Sequence, residues 1–143
     1  MYINGKFDPD INREKIPILN PATEEVLDDV FRGTAEDAQV AVEAAKQAFP
    51  LWSRTPALER AAILHQVAAK MRSHHDELVH LLTLEQGKPI PENEEELWWS
   101  EETFDYYAEI GRNDRGRVIP PGEAAQFNFI LKEPWGVVGC IVP

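Results

Sequence analysis

The chain has 143 residues, enough for one ordinary domain, and its 43% hydrophobic and 27% charged residues are those of a globular protein. A net charge of −11, from 25 acidic and 14 basic side chains, repels phosphate backbones, and no basic stripe interleaved with aromatics offsets it, which argues against nucleic acid as a partner. No run approaches the roughly eighteen apolar residues of a membrane span, one cysteine leaves no internal disulfide, and MYINGKFDPD has no secretory character, so a cytoplasmic location is expected.

Tyr2 to Phe7 reads as a small hairpin, with apolar residues on either side of Asn4-Gly5, a dipeptide that tolerates positive φ at both turn positions. Ile16 to Leu19 is a second extended run, closed by Asn20-Pro21-Ala22-Thr23, and Val26 to Phe31 a third. Together they predict a small antiparallel sheet.

The period then becomes helical. Thr34, with Asp37 three residues on, caps a helix whose apolar stripe is Ala38, Ala41, Val42, Ala45, Ala48 and Phe49, and Pro50 is expected to end it. Thr55-Pro56 predicts a cap followed by proline at the first helical position, with Ala61, Leu64, Val67, Ala68 and Met71 on the buried face. Ser73 to Asp76 resembles another capping box, leading to Leu78, Leu81, Leu82 and Leu84, with Gly87 past the helix end and Pro89 beyond. A long helix from Pro91 to about Ile110 is expected to turn Leu97, Trp98, Phe104, Tyr107 and Ala108 inward. Asn113 to Gln126 reads as a loop.

Two apolar runs follow, Phe127 to Leu131 and Val137 to Val142. The second is β-branched and nearly continuous, the composition of a strand covered on both faces. Parallel neighbours need crossovers of about a dozen residues or more, so the expectation is a chain that stops where a parallel sheet should begin.

The chemistry-bearing residues have plain structural readings. Cys140 lacks a local base or positive charge and is expected to be buried and inert. His65, His74, His75 and His80 are spaced by nine, one and five residues, so no i, i+4 zinc pair exists and surface positions are expected. The carboxylates from Glu92 to Glu102 suit the positive end of a helix dipole, with Glu96 the one held back for a possible site. Gly136 and Gly139 make no phosphate-binding fingerprint, and Gly136 suits a turn after Pro134.

Four motifs in register carry a resemblance. Asn20-Pro21-Ala22-Thr23, Leu84-Glu85-Gln86-Gly87-Lys88-Pro89, Tyr106-Tyr107-Ala108 and Glu133-Pro134-Trp135-Gly136-Val137-Val138-Gly139 to Pro143 together resemble the N-terminal part of the NAD(P)-dependent aldehyde dehydrogenase superfamily, in the style of betaine-aldehyde and succinate-semialdehyde dehydrogenases. The resemblance implies a truncated α/β fold: a small antiparallel sheet, about four helices, oligomerisation-type strands and the first strand of a Rossmann-like sheet. Residues 1–112 would be the helical section packing on the cofactor domain. Residues 113–138 would be a loop and oligomerisation strands, with the strand pair at Phe127 to Val138, and residues 139–143 the start of the Rossmann-like sheet.

It also implies roles. Ile141, Val142 and Pro143 match positions lining the NAD or NADP site, and the Ile18 and Leu19 carbonyls with Glu96 match a monovalent-cation site. The complete enzyme would be a homo-oligomer in which a cysteine thiolate attacks an aldehyde, hydride passes to the nicotinamide, and a glutamate-activated water releases the carboxylic acid. The nucleophile, that glutamate and an oxyanion-holding asparagine two residues past the matching proline all fall outside this sequence, and Cys140 is not that nucleophile. The chain alone is therefore expected to be inactive. The alternatives are a non-catalytic binding or assembly module acting through exposed strand edges, and a chain that is only partly folded because apolar faces lack their cover.

Overall fold

The computed structural model describes residues 1–7 and 12–142. β1 (Tyr2–Ile3) and β2 (Lys6–Phe7) form the expected hairpin, with Tyr2 opposite Phe7. Asn4 and Gly5 both take positive φ, 52° and 76°, as a turn matching the strand twist requires.

β3 (Lys15–Leu19) and β4 (Val26–Phe31) form a second antiparallel pair. Ile18 faces Asp28 but Leu19 faces Val26, so Leu27 is an extra residue and the ladder bulges there. The intervening turn is held by the Asn20 side chain, which accepts the Ala22 N–H at 2.9 Å.

α1 (Ala35–Trp52) opens on the expected capping box: Thr34 Oγ1 accepts the Asp37 N–H, and Asp37 accepts the Thr34 N–H at 2.8 Å. Arg13 reaches the same carboxylate at 2.8 Å. Its guanidinium first, and the Thr34 bonds after it, hold the Asp37 carboxyl down at about 2.

One expectation for α1 fails. Pro50 lies inside the helix, because in the last turn it forfeits a single backbone bond while its fixed φ suits the helix, and Ser53 N–H still reaches Phe49 O at 2.8 Å. Among the described residues the alanine-rich stripe of α1 is left largely open, since the helix meets β1 only lightly and none of its residues is buried.

α2 (Ala57–Ser73), α3 (His75–Gln86) and α4 (Ile90–Asn113) make the core. Ala61, Ala68 and Ala108 are buried where α2 crosses α4, and Val79 and Leu97 are buried beside them. The Thr55 cap moves by one residue: the helix is preceded by Pro56, while Thr55 Oγ1 donates to Leu51 O at 3.0 Å across the end of α1. Ser73 likewise belongs to α2 and donates to Lys70 O at 2.7 Å, so α3 starts after His74 with no side-chain cap. Trp98 and Tyr107 point outward, about half exposed, because the face of α4 that packs runs through Asn93, Leu97, Glu101 and Ala108.

The stretch read as a loop contains β5 (Arg117–Ile119), which pairs antiparallel with β6 (Asn128–Ile130). The strand pair is thus formed with an upstream partner rather than within Phe127 to Val138. Gly116 permits it, since a Cβ there would collide with the Ile130 carbonyl. Residues 131–142 form no strand, helix or turn, although Gly136 takes a positive φ of 109°. The run Val137 to Val142 has no neighbouring strand to bond, and a strand exists only through such bonds.

Gly87 closes α3 in the left-handed region, φ 73°, donating to Thr83 O at 2.9 Å. A Cβ at this position would sit 2.6 Å from Pro21 Cγ, so the β3–β4 turn is seated against the α3–α4 corner. Gly87→Ala is expected to lower the unfolding free energy by about 1–2 kcal/mol from the backbone alone. Urea titration measures it; a variant as stable as its parent would show that this corner is not as tightly fixed as described.

Candidate functional site

The longest polar side chains of the helical core converge along one seam between α2, α3 and α4. From α2, His65 places Nδ1 2.5 Å from Asp105 Oδ1 and Nε2 2.9 Å from Glu109 Oε1. One helical face further on, Arg72 reaches Asp105 at 2.5 Å, Glu102 at 3.3 Å and Glu101 at 3.5 Å. From α3, the His75 ring adds 3.1 Å to Glu101.

Burial and charge explain the arrangement. Glu101 is only 3% exposed, and a carboxylate so enclosed requires partners of opposite charge or donors. Hydrogen bonds from Arg72 first, and then from His65, hold the Asp105 carboxyl below its ordinary range, and His65 does the same for Glu109. The converse holds for His65, whose ring is pushed above its ordinary value by Asp105 first and Glu109 second. The histidines expected on a free surface therefore include two that tie helices together.

A second cluster lies at the α3–α4 corner. Asn93, with no exposed surface, donates to Thr83 Oγ1 at 2.8 Å and to Lys88 O at 3.2 Å. Close by, Lys88 Nζ lies 2.6 Å from Glu96 Oε2, which raises the lysine pKa. Asn93 was missed in the sequence, and Glu101 was read as one more carboxylate of a solvated group, because both sit in an acidic run. Their signal was spacing: 93, 97, 101 and 105 fall one above another at i, i+4, with Leu97 in the ladder.

The residues expected at ligand sites lie on three segments of the chain. Ile18 and Leu19 lie in β3 beside the bulge, while Glu96 lies on α4 in its ion pair with Lys88. Ile141 and Val142 are fully exposed or nearly so, and Pro143 lies outside the described residues. Cys140, expected to be buried, is an exposed free thiol, because no sheet covers its segment. Among the described residues no group of three or more His, Cys, Asp or Glu side chains could hold a metal ion, and no helix is long and apolar enough to cross a membrane. The described residues offer salt bridges that tie α2, α3 and α4 together and one exposed thiol.

Residues 8–143 match the family model described as "Aldehyde dehydrogenase family". The chain belongs to the aldehyde dehydrogenase family. It is 38% identical over 151 aligned positions to aminoaldehyde dehydrogenase 2 of Zea mays, covering 100% of this chain and 30% of that one. It is 36% identical to the NADP-dependent succinate-semialdehyde dehydrogenase of Escherichia coli, covering 99% and 29%. Among solved structures, a betaine aldehyde dehydrogenase of Staphylococcus aureus crystallised with NAD+ superposes with a TM-score of 0.87 at 32% identity, over 93% of this chain and 27% of that one. The chain thus spans about 30% of the length of these aldehyde dehydrogenases.

The resemblance read from the four motifs is therefore correct, and the mixed α/β architecture of four helices with small antiparallel sheets agrees with it. In this aldehyde dehydrogenase chain the Leu84 to Pro89 motif has a visible structural purpose: Gly87 makes the left-handed turn, Lys88 supplies both a carbonyl to Asn93 and an ammonium to Glu96. Asn93→Ala would leave Thr83 Oγ1 and the Lys88 carbonyl without their enclosed partner, and is expected to cost about 1–3 kcal/mol of stability. Chemical denaturation checks it, and a change near zero would mean that water replaces the amide.

Proposed function

We propose that this chain is the N-terminal part of an NAD(P)-dependent aldehyde dehydrogenase, and that it forms scaffold around the reactive centre without supplying that centre. The observation carrying this reading is the agreement of nearly the whole chain, in sequence and in backbone, with about a quarter to a third of such enzymes. Residues 1–112 would pack on the cofactor domain, residues 113–138 would reach towards a neighbouring subunit, and residues 139–143 would begin the cofactor-binding sheet.

In the complete protein, an aldehyde of the betaine-aldehyde or succinate-semialdehyde type would be oxidised to its carboxylic acid. NAD or NADP would supply the hydride acceptor. Ile141, Val142 and Pro143 would contribute only apolar lining and backbone to that site, since none carries a titratable group. A monovalent cation held by the Ile18 and Leu19 carbonyls with Glu96 requires Lys88 to release the Glu96 carboxylate; as built, the Lys88 ammonium already supplies that positive charge. Cys140 is an exposed free thiol on a segment without strand or helix, and a thiol needs a base or positive charge beside it to act as a nucleophile.

Two outcomes follow. The purified 143-residue chain, given betaine aldehyde or succinate semialdehyde with NAD or NADP, should produce no aldehyde-dependent absorbance at the reduced-nicotinamide wavelength. In the complete protein, Cys140→Ser should keep kcat within about two-fold of the parent. Turnover by the short chain, or loss of turnover in the serine variant, would each overturn the assignment.

A second reading concerns assembly, and it is favoured by the β5–β6 hairpin, where Val118 and Phe129 are both more than half exposed. We propose that this hairpin is an oligomerisation arm of the complete protein. Phe129→Asp should shift the sedimenting species to a smaller assembly, whereas an unchanged sedimentation coefficient would place the subunit contact elsewhere.

A further inference from the structure

The His65 ring is bonded at both ends. Nδ1 meets Asp105 and Nε2 meets Glu109, at 2.5 and 2.9 Å, and these two acids are successive turns of α4. An ionised carboxylate only accepts hydrogen bonds, so both ring nitrogens must donate, and only the imidazolium has two N–H groups. A neutral ring would satisfy one acid and turn a lone pair on the other.

Protonated carboxyls would relieve that conflict, but the surroundings keep them ionised. Arg72, from the same helix as His65, holds Asp105, and Arg112 lies 3.2 Å from Glu109 on α4. Glu101 and Glu102 of α4 face Arg72 as well, and from α3 His75 addresses Glu101. The four carboxylates around the seam outnumber its two guanidinium groups, so a positive His65 ring lowers the local excess of negative charge without cancelling it.

We propose that His65 is a pH-sensitive brace, an imidazolium that fastens α2 to α4 while it holds its proton and releases the α4 face when it loses it. The proposal is independent of the catalytic reading above, because it needs only these helices. Its sign follows from the direction of the ring's titration, which in the folded chain lies above the ordinary 6.5. The brace is fully present below 6.5 and is lost as pH rises through the higher folded value.

The test is deuterium exchange of imidazole C2–H, followed by mass spectrometry of the peptide carrying His65, across pH in the full chain as the cell makes it. A midpoint above 6.5 is expected, with a return towards 6.5 in Asp105→Asn/Glu109→Gln. A wild-type midpoint at or below 6.5 overturns the proposal without recourse to any variant. Amide exchange supplies the structural readout: after correction for intrinsic rates, protection in α2 and α4 should fall across that midpoint in the parent and stay flat in His65→Gln. An identical fall in both proteins would also overturn it.

Discussion

The described fold depends on how closely α2 can approach α4. Ala61, Ala68 and Ala108 occupy the crossing, and with only a methyl group each they let two backbones come near enough for longer side chains to meet beside the contact. Leu97 and Val79 then fill the space at α3. His65, Arg72 and His75 could not span to Asp105, Glu109 and Glu101 if larger residues held the helices apart. The polar seam is thus a consequence of the small apolar one, and neither half is replaceable alone: burying Glu101 without Arg72 would leave a desolvated charge, which is costly.

From that core, order spreads through one corner. Asn93 fixes the start of α4 to Thr83 in α3, Gly87 turns the chain between them, and Pro21 rests on Gly87. The β3–β4 pair therefore takes its position from the helices rather than from a sheet of its own, which suits a two-stranded ribbon that has little independent stability. Where no such contact exists, apolar surface stays open. The stripe of α1, the Trp98, Trp99, Tyr106 and Tyr107 rings on the outer side of α4, and residues 137–142 are all uncovered in this chain.

What was legible in the sequence divides along the same line. Several features set by a few adjacent residues were read correctly, namely the Asn4-Gly5 turn, the Thr34 capping box and the Gly87 helix end, although the local readings at Pro50, Thr55 and Ser73 were not. Features decided by a distant partner were not. Trp98 and Tyr107 look like core because they are large and aromatic, yet the packing face is set by α2, whose alanines accept Leu97 and Ala108. β5 was hidden in a stretch rich in Arg, Pro and Gly because its pairing partner, β6, lies about ten residues downstream. Cys140 and Val137 to Val142 carry the composition of a covered strand, and composition states only what a segment could do given neighbours.

The histidines show why residue type and spacing alone understate a site. None of the four lies at metal-binding spacing, so a search for ligands along one helix finds nothing. The relevant spacing belongs to the partner helix, where Asp105 and Glu109 stand one turn apart and can grip both ends of a single ring. Exposure makes the opposite point at Cys140. Its thiol is accessible, but accessibility without a base or a positive field does not create a nucleophile, whereas His65, half-covered and chemically unremarkable by sequence, is met by a carboxylate at each ring nitrogen. The side chains that meet in this chain are therefore decided by the helix crossing, and the crossing is set by alanines that no catalytic motif would single out.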